Sequence, residues 1–253
     1  MKVNYSYVYL AFFLLLNIFN FVDRNLLIAF APQIKSEFNL TNVQWGLLTG
    51  VYFLFFYSVF GIFMGVLGDK FSRMKIAAAG VFLWSLMTAF TGVAKNFSHL
   101  IVARALIGVG ESALTPNAIS MLSDLFKQNQ RGTASAIYYL GIPLGVGFGM
   151  LIAAFFGPAY GWRSVFITLG LIGMGLGILT YFLIEPRRGQ LDISFDEDNK
   201  STSIRDIISM TKHALYNSKC LTFVIIGSIF LHIPLGAGNF EVLWAVNLSL
   251  IHI

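Results

Sequence analysis

Asp23 and Arg24, then Arg104 and Glu111, are the residues whose types could do chemistry in this chain, because each pair interrupts a stretch that is otherwise uncharged and apolar. A charged side chain at the centre of a lipid bilayer costs roughly 2.5–3.5 kcal/mol on insertion scales, so such residues face a partner or a watery cavity. Two acids and two bases sum to zero formal charge. An acid in that setting can take up and release a proton, and an arginine can hold an anionic group. That combination is what a proton-coupled path for a polar solute through lipid needs.

Spacing constrains who can pair with whom. Arg104 and Glu111 are seven residues apart, so they share a helix face with about 10.5 Å of rise between them. A good direct ion pair then requires both side chains to reach along the helix. Asp23 and Arg24 are adjacent, point about 100° apart and do not naturally pair. Pairing of Asp23 with Arg104 across helices is the economical arrangement, and it leaves Arg24 and Glu111 available to solute or proton. Plainer readings stay open. Asp23 and Arg24 could sit in the outer third of the first helix with Arg24 snorkelling, Arg104 could brace the bundle, and Glu111, between Gly110 and Ser112, could be a protonated structural donor.

The elements that carry these residues follow from composition. The chain has 253 residues, 57% of them hydrophobic and 11% charged, with a mean hydropathy of +0.73. A soluble domain has about 25% charged residues, so this chain cannot cover itself with polar surface. Seven apolar runs, roughly 7–30, 45–67, 76–94, 99–121, 132–157, 164–184 and 220–241, are long enough to cross a hydrocarbon core about 30 Å thick. They are continuously apolar and do not alternate, which predicts helices and excludes a barrel. The first run is too long for a signal peptide core, and Asp23-Arg24 interrupts it without a cleavage site.

Several chemistries drop out. The single cysteine, Cys220, excludes an intramolecular disulfide and a Cys-rich metal site, and His99, His213, His232 and His252 lack ligand spacing. No metal, cofactor or catalytic constellation is expected, so the chain does not read as an enzyme. The formal charge of +5 reflects topology. With an inward N-terminus, twelve basic residues lie inside (Lys2, Lys70, Arg73, Lys75, Lys127, Arg131 and six from Arg187 to Lys219) and three outside, Lys35, Lys95 and Arg163. That bias predicts a cytoplasmic N-terminus in a multi-pass membrane protein and argues against nucleic acid as a partner.

Six spans over 1–184 form one bundle, 185–218 is a cytoplasmic linker, and 219–253 begins a second bundle. Within the linker, Ile204, Ile207, Ile208 and Leu215 alternate with charged residues between Ser203 and Tyr216. That suggests an amphipathic helix on the inner membrane surface, the competing reading being a partly disordered linker. A seven-helix receptor fails on orientation and on the long linker before the seventh span. The closing segment from Asn247 to Ile253 resembles read-through, so a fragment of a longer protein is expected. Gly141, Gly145 and Gly149 are spaced by four for close packing, with Pro143 as a kink or hinge. They do not match a nucleotide-binding glycine pattern. Phe12, Phe13, Phe19, Tyr52, Phe55, Phe56 and Tyr57 could line a lipid-like tail site, or simply face lipid and neighbouring helices.

Between spans two and three lies GVLGDKFSRMK, Gly65 to Lys75, with Gly65, Gly68, Asp69, Lys70, Arg73 and Lys75 in a spaced pattern. It resembles the signature of the major facilitator superfamily, departing from it at Ser72 and Met74. Asp69 at a helix end could latch the cytoplasmic side as a gate by pairing with a base or capping a neighbouring helix. RALIGVGE from Arg104, N-F-V-D-R from Asn20, I-P-L-G-V-G-F-G from Ile142 and Gly161-Trp162-Arg163 are together similar to the spinster family of lysolipid transporters. This resemblance covers 17–188. It implies an all-α integral membrane fold, the six-helix half (two three-helix repeats) of a twelve-helix transporter working by alternating access, monomeric at full length, in a bacterial inner membrane. It also implies Asp23 and Glu111 as proton-coupling acids, Arg24 and Arg104 beside the solute's anionic group, and a small or lipid-like solute and protons as partners. A proton-coupled sugar-acid symporter is the alternative within the class, and a transport-inactive scaffold or sensor the alternative outside it.

Overall fold

The computed structural model describes residues 5–191, together with Ser218 and Phe223. Two compact units meet at 193/194, and every element below belongs to the first. The amphipathic helix expected over 203–216, Cys220, the seventh span apart from Phe223, and the Asn247–Ile253 segment lie outside the described residues.

Among the described residues the structure is helical, without strands. The helices are α1 (Tyr5–Ala29), α2 (Ala31–Phe38), α3 (Asn42–Gly46), α4 (Tyr52–Lys70), α5 (Arg73–Gly92), α6 (Phe97–Glu111), α7 (Leu114–Leu125), α8 (Gln128–Tyr139) and α9 (Gly141–Phe182). Starts are capped where the sequence offers an oxygen. Thr41 and Gln44 form a reciprocal capping box before α3, Ser72 accepts the Lys75 N–H at 3.3 Å, and Asn96 accepts the His99 N–H at 2.9 Å.

Three irregularities matter for function. A π-helical turn, Leu47–Val51, joins α3 to α4 in one apolar stretch of 29 residues; inside it the Thr49 hydroxyl donates back to the Trp45 carbonyl at 2.9 Å. The fourth span breaks into α6 and α7 at Ser112–Ala113. Pro116 accounts for this, since its ring lacks an N–H and crowds the carbonyl four residues back, at Ser112. Finally, α9 has 42 residues but a non-helical backbone at Gly161, with φ 74°. That left-handed-side conformation suits glycine, and the turn expected at Gly161-Trp162-Arg163 is there.

Neighbouring helices confirm that α9 reverses at Gly161. Gly145 lies against Ile18 to Val22, Gly149 against Val22 and Asn25, and Gly157 against Phe30, so the first half runs parallel to α1. Gly170 lies against Ser85 and Ala89 and Gly177 against Phe82, so the second half runs antiparallel to α5. Six crossings of a bilayer result. Pro143 occupies the first turn of α9, where a missing N–H costs nothing, and the boundary with α8 falls at Leu140. Between α5 and α6 contact is direct: a Cβ on Gly80 would come 2.5 Å from the Gly110 carbonyl oxygen. The interior holds Phe13, Leu16, Val81, Trp84 and Ile107, while Phe155 and Phe182 stand about three-quarters exposed at 74% and 75%. Such a surface suits lipid.

Polar staples close each end of the bundle. At one end, Arg163 beside the Gly161 reversal donates to the Gly92 and Ala94 carbonyls at 2.9 and 2.8 Å and to Glu37 of α2 at 2.7 Å. The Trp162 indole N–H reaches the other Glu37 oxygen at 2.8 Å. The hydrogen bond from Arg163 holds the Glu37 carboxyl below its ordinary value; burial opposes it, and the Trp162 hydrogen bond and the Arg163 charge add to the lowering. A depressed carboxyl stabilises the fold above the unfolded value of about 4.3, and that contribution disappears as pH falls through the lower folded value. Both partners are partly exposed, so the effect stays below about 1 kcal/mol. Thermal unfolding in detergent should therefore show a small extra loss of stability below about pH 4.3 that Glu37→Gln removes. Equal acid sensitivity in both proteins would assign it to other groups.

Candidate functional site

The four intramembrane charges converge between α1, α5 and α6. Arg24 Nε donates to Glu111 Oε2 at 2.5 Å, with the Glu111 side chain fully buried and that of Arg24 22% exposed. Asp23 turns the other way, toward α5, where the Thr88 hydroxyl donates to its Oδ2 at 3.1 Å. The expected Asp23–Arg104 ion pair is absent. The reason is the angular offset on α1: adjacent residues point about 100° apart, so Arg24 takes the α6 side and Asp23 is left facing α5.

Arg104 pairs with neither acid and stacks its guanidinium on Phe53 of α4, 4.7 Å from the ring centroid. Arg24 sits 4.8 Å from the centroid of that same ring, and also 4.8 Å from Tyr57 and 4.9 Å from Phe21. Phe53 and Tyr57, four residues apart, are stacked at 5.6 Å. A desolvated cation over a ring gains about 2 kcal/mol, which partly offsets the cost of bringing two guanidiniums together. Asp23 Oδ1, Arg104 Nε and Glu111 Oε1 are buried without hydrogen-bond partners. Buried polar atoms are normally satisfied, so three orphans in the charge cluster mark a place suited to polar groups from outside the chain.

Local folding places each member. The break before Pro116 leaves Glu111 as the last residue of α6, where the partial negative charge of the helix end disfavours a carboxylate and the Arg24 cation offsets it. The Gly80–Gly110 approach brings α5, and thus Thr88, close beside α6. Below the charges, Asn17 donates to the Tyr138 carbonyl at 2.8 Å and the Tyr138 hydroxyl lies 3.1 Å from Thr115 Oγ1. Sequence reasoning missed Phe53, Phe21 and Thr88. The i, i+4 spacing of Phe53 and Tyr57 was the available signal. Of the seven aromatics singled out, Phe13 is buried in the core, Phe55 is exposed, and Tyr57 reaches the charges.

The glycine-and-base motif lies at the opposite end from the Arg163 staple. Arg73 is 4% exposed and donates to Asp124 at 2.5 Å, Glu185 at 2.9 Å, Ser120 at 2.9 Å and the Pro186 carbonyl at 3.1 Å. Asp124 also accepts the Gly189 N–H at 2.9 Å. Arg188 caps the end of α4 by donating to the Gly68, Asp69 and Phe71 carbonyls. The Asp69, Lys70 and Lys75 side chains are on the surface, Gly65 has open space around it, and Gly68 is buried against Asn117. Gly141, Gly145 and Gly149 all pack on α1.

Six apolar crossings around a buried, net-neutral charge cluster define an integral multi-pass membrane protein. The chain belongs to the Major Facilitator Superfamily, whose model matches residues 13–249. It is 32% identical over 180 residues to "Sphingosine-1-phosphate transporter SPNS2" of Danio rerio, covering 70% of this chain and 36% of that protein. It is 30% identical over 214 residues to "Protein spinster" of Drosophila melanogaster, covering 82% and 35%. Among solved structures, a bacterial homolog of the human lysosomal transporter Spinster, inward-facing and occupied, aligns with a TM-score of 0.66 and 31% identity over 76% of this chain and 47% of that one. The chain thus spans about a third of the length of these curated relatives. The spinster resemblance and the helical fold expected from sequence hold.

Proposed function

We propose that this chain forms the first bundle of a proton-coupled secondary transporter, which moves a small amphiphilic or anionic organic solute, lysolipid-like in kind, by alternating access. The observation that carries the reading is the buried cluster of Asp23, Arg24, Arg104 and Glu111 with unpartnered polar atoms on three of them. A structural brace would be expected to satisfy its members; a site that exchanges protons and anions needs free positions. Asp23 and Glu111 take the proton, and Arg104 and Arg24 take the solute's anionic group. Asp69, exposed at the end of α4, gates the side that the twelve-to-three basic bias makes cytoplasmic, in a bacterial inner membrane. The Gly141–Gly149 face lets the first half of α9 pack tightly on α1 during the motion.

The test is uptake of radiolabelled lysophosphatidylglycerol into proteoliposomes under an imposed pH gradient. A two-bundle protein carrying residues 1–253 as its first half is expected to accumulate the lipid, and residues 1–253 alone to insert without accumulating it. Accumulation by monomeric 1–253 would overturn the two-bundle mechanism. Failure of the two-bundle protein with single-chain lipids and sugar acids alike would favour a scaffold or sensor.

A further inference from the structure

We infer that Phe53 is the positioning residue that keeps Arg104 off Asp23, by holding the Arg104 and Arg24 guanidiniums on its ring at 4.7 and 4.8 Å. The inference rests on the reading above, in which Asp23 carries a proton. Arg104 is buried, its Nε lacks a partner, and an unpartnered Asp23 oxygen is buried in the same cluster. Attraction between opposite charges in a low-dielectric interior would draw the two together. The aromatic face gives Arg104 a competing place to rest, and it does so without neutralising the acid.

Phe53 is itself firmly held. It is buried, stacked on Tyr57, and its backbone carbonyl lies against Gly108, where a Cβ would come within 2.7 Å. The π-helical turn ends at Val51, two residues before it. A π turn takes about one extra residue per turn and so rotates the face that follows relative to the helix before it. Arg24, Arg104 and Tyr57 lie against the ring; Arg24 holds Glu111 of α6, Thr88 of α5 holds Asp23, and the Tyr138 hydroxyl of α8 lies beside Thr115 of α7. Only the two arginines compete for the acids. Glu111 already has Arg24, so the fate of Asp23 depends on where Arg104 rests.

The consequence is readable without any transport measurement. Dicyclohexylcarbodiimide modifies protonated carboxyl groups in apolar surroundings, and the modified residue is identified by mass spectrometry. Residues 1–253 in nanodiscs should label at Asp23. Phe53→Leu and Phe53→Met both remove the π face, free Arg104 to pair with Asp23, and should slow labelling roughly tenfold, the effect of one unit of proton affinity. Phe53→Trp should keep the wild-type rate, and Arg104→Gln added to Phe53→Leu should restore it. Loosened packing alone would hydrate Asp23 and slow the reaction whether or not Arg104 is present, so a rate that Arg104→Gln fails to restore, or a faster rate in the Leu and Met variants, overturns the inference. Equal slowing in Phe53→Trp does so too. If the Leu variant does not fold, the Met variant carries the comparison. An Asp23 that resists the reagent in every variant sinks the proton-carrying reading and this inference together. An Asp23 that labels at a rate indifferent to Phe53 sinks the inference alone.

Discussion

Arg73→Ala is expected to destabilise the helical bundle by about 3–5 kcal/mol, the cost of removing one partner from a buried ion pair. Arg73 is 4% exposed and has four acceptors, two of them the carboxylates of Asp124 and Glu185. Its loss leaves Asp124 buried with the Gly189 N–H but no cation. Against a total stability of about 5–15 kcal/mol, that is a large share. Thermal unfolding in detergent measures it, and a double-mutant cycle with Asp124→Ala isolates the pair. A loss below about 1 kcal/mol would put this contact in the class of exposed surface bridges. Lysine at 73 should rescue little, because a point charge cannot reach carboxylates on two segments with a planar fork. Glu185 supplies a second readout. Partial burial pushes its carboxyl up, but hydrogen bonds from Ser72 and Arg73 outweigh this and hold it below its ordinary value. Its stabilisation is present above the unfolded value near 4.3 and is lost as pH falls through the lower folded one. Arg73→Ala should flatten that acid-side loss.

The helices were legible in the sequence because lipid imposes a simple rule: apolar runs of spanning length, closed by charges at 70–75, 95 and 127–131. The reversal at Gly161 was legible too, since Gly-Trp-Arg interrupts an apolar run with residues that favour a turn. The break at Ser112 was in principle readable from Pro116. The π-helical turn was not, because Gly46, Thr49 and Gly50 are ordinary in a membrane helix and nothing local distinguishes one extra residue per turn. The same limit applies to the site. Residue type and position revealed which charges are costly, but pairing depends on how α1 is rotated against α5 and α6. One offset of about 100° decides whether Asp23 or Arg24 meets the fourth span, and sequence gave the offset without its origin. Phe53 was hidden for a related reason. In a run such as Tyr52 to Tyr57, where five of six residues are aromatic, composition cannot say which ring turns inward.

The same geometry changes what each charge is expected to do. Arg24 and Glu111 already neutralise one another, so they resemble a brace that a solute could open. Arg104 and Asp23 each keep a free atom, which makes them the more available pair: one for an anion, one for a proton. Arg104 rests on an aromatic ring and makes no salt bridge to Asp23. A bundle so arranged can change the occupancy of either without first breaking an ion pair.

Asp23→Asn, in a two-bundle protein carrying this chain, is expected to abolish solute accumulation driven by a pH gradient while counterflow exchange survives. Burying a carboxylate charge without a cation is costly, and protonation removes that cost. The Thr88 hydroxyl alone supports Oδ2, and Oδ1 has no partner. Opening the cavity to water on the other side, or an approach by Arg104, makes the charged form affordable and releases the proton. Asparagine keeps the shape and the Thr88 contact but cannot carry a proton, so the cycle loses its coupling and not its pathway. Glu111→Gln acts differently. It leaves Arg24, half-buried beside three rings, without its anion, so it should lower stability as well as shift the pH dependence of uptake. Arg104→Ala should weaken solute binding, because the cluster's net charge becomes negative. The decisive comparison is the Asp23→Asn, Glu111→Gln double variant in proteoliposomes, with gradient-driven uptake and exchange measured side by side. If gradient-driven uptake persists there, neither acid carries the coupling proton, and the four charges hold the bundle together instead of working it.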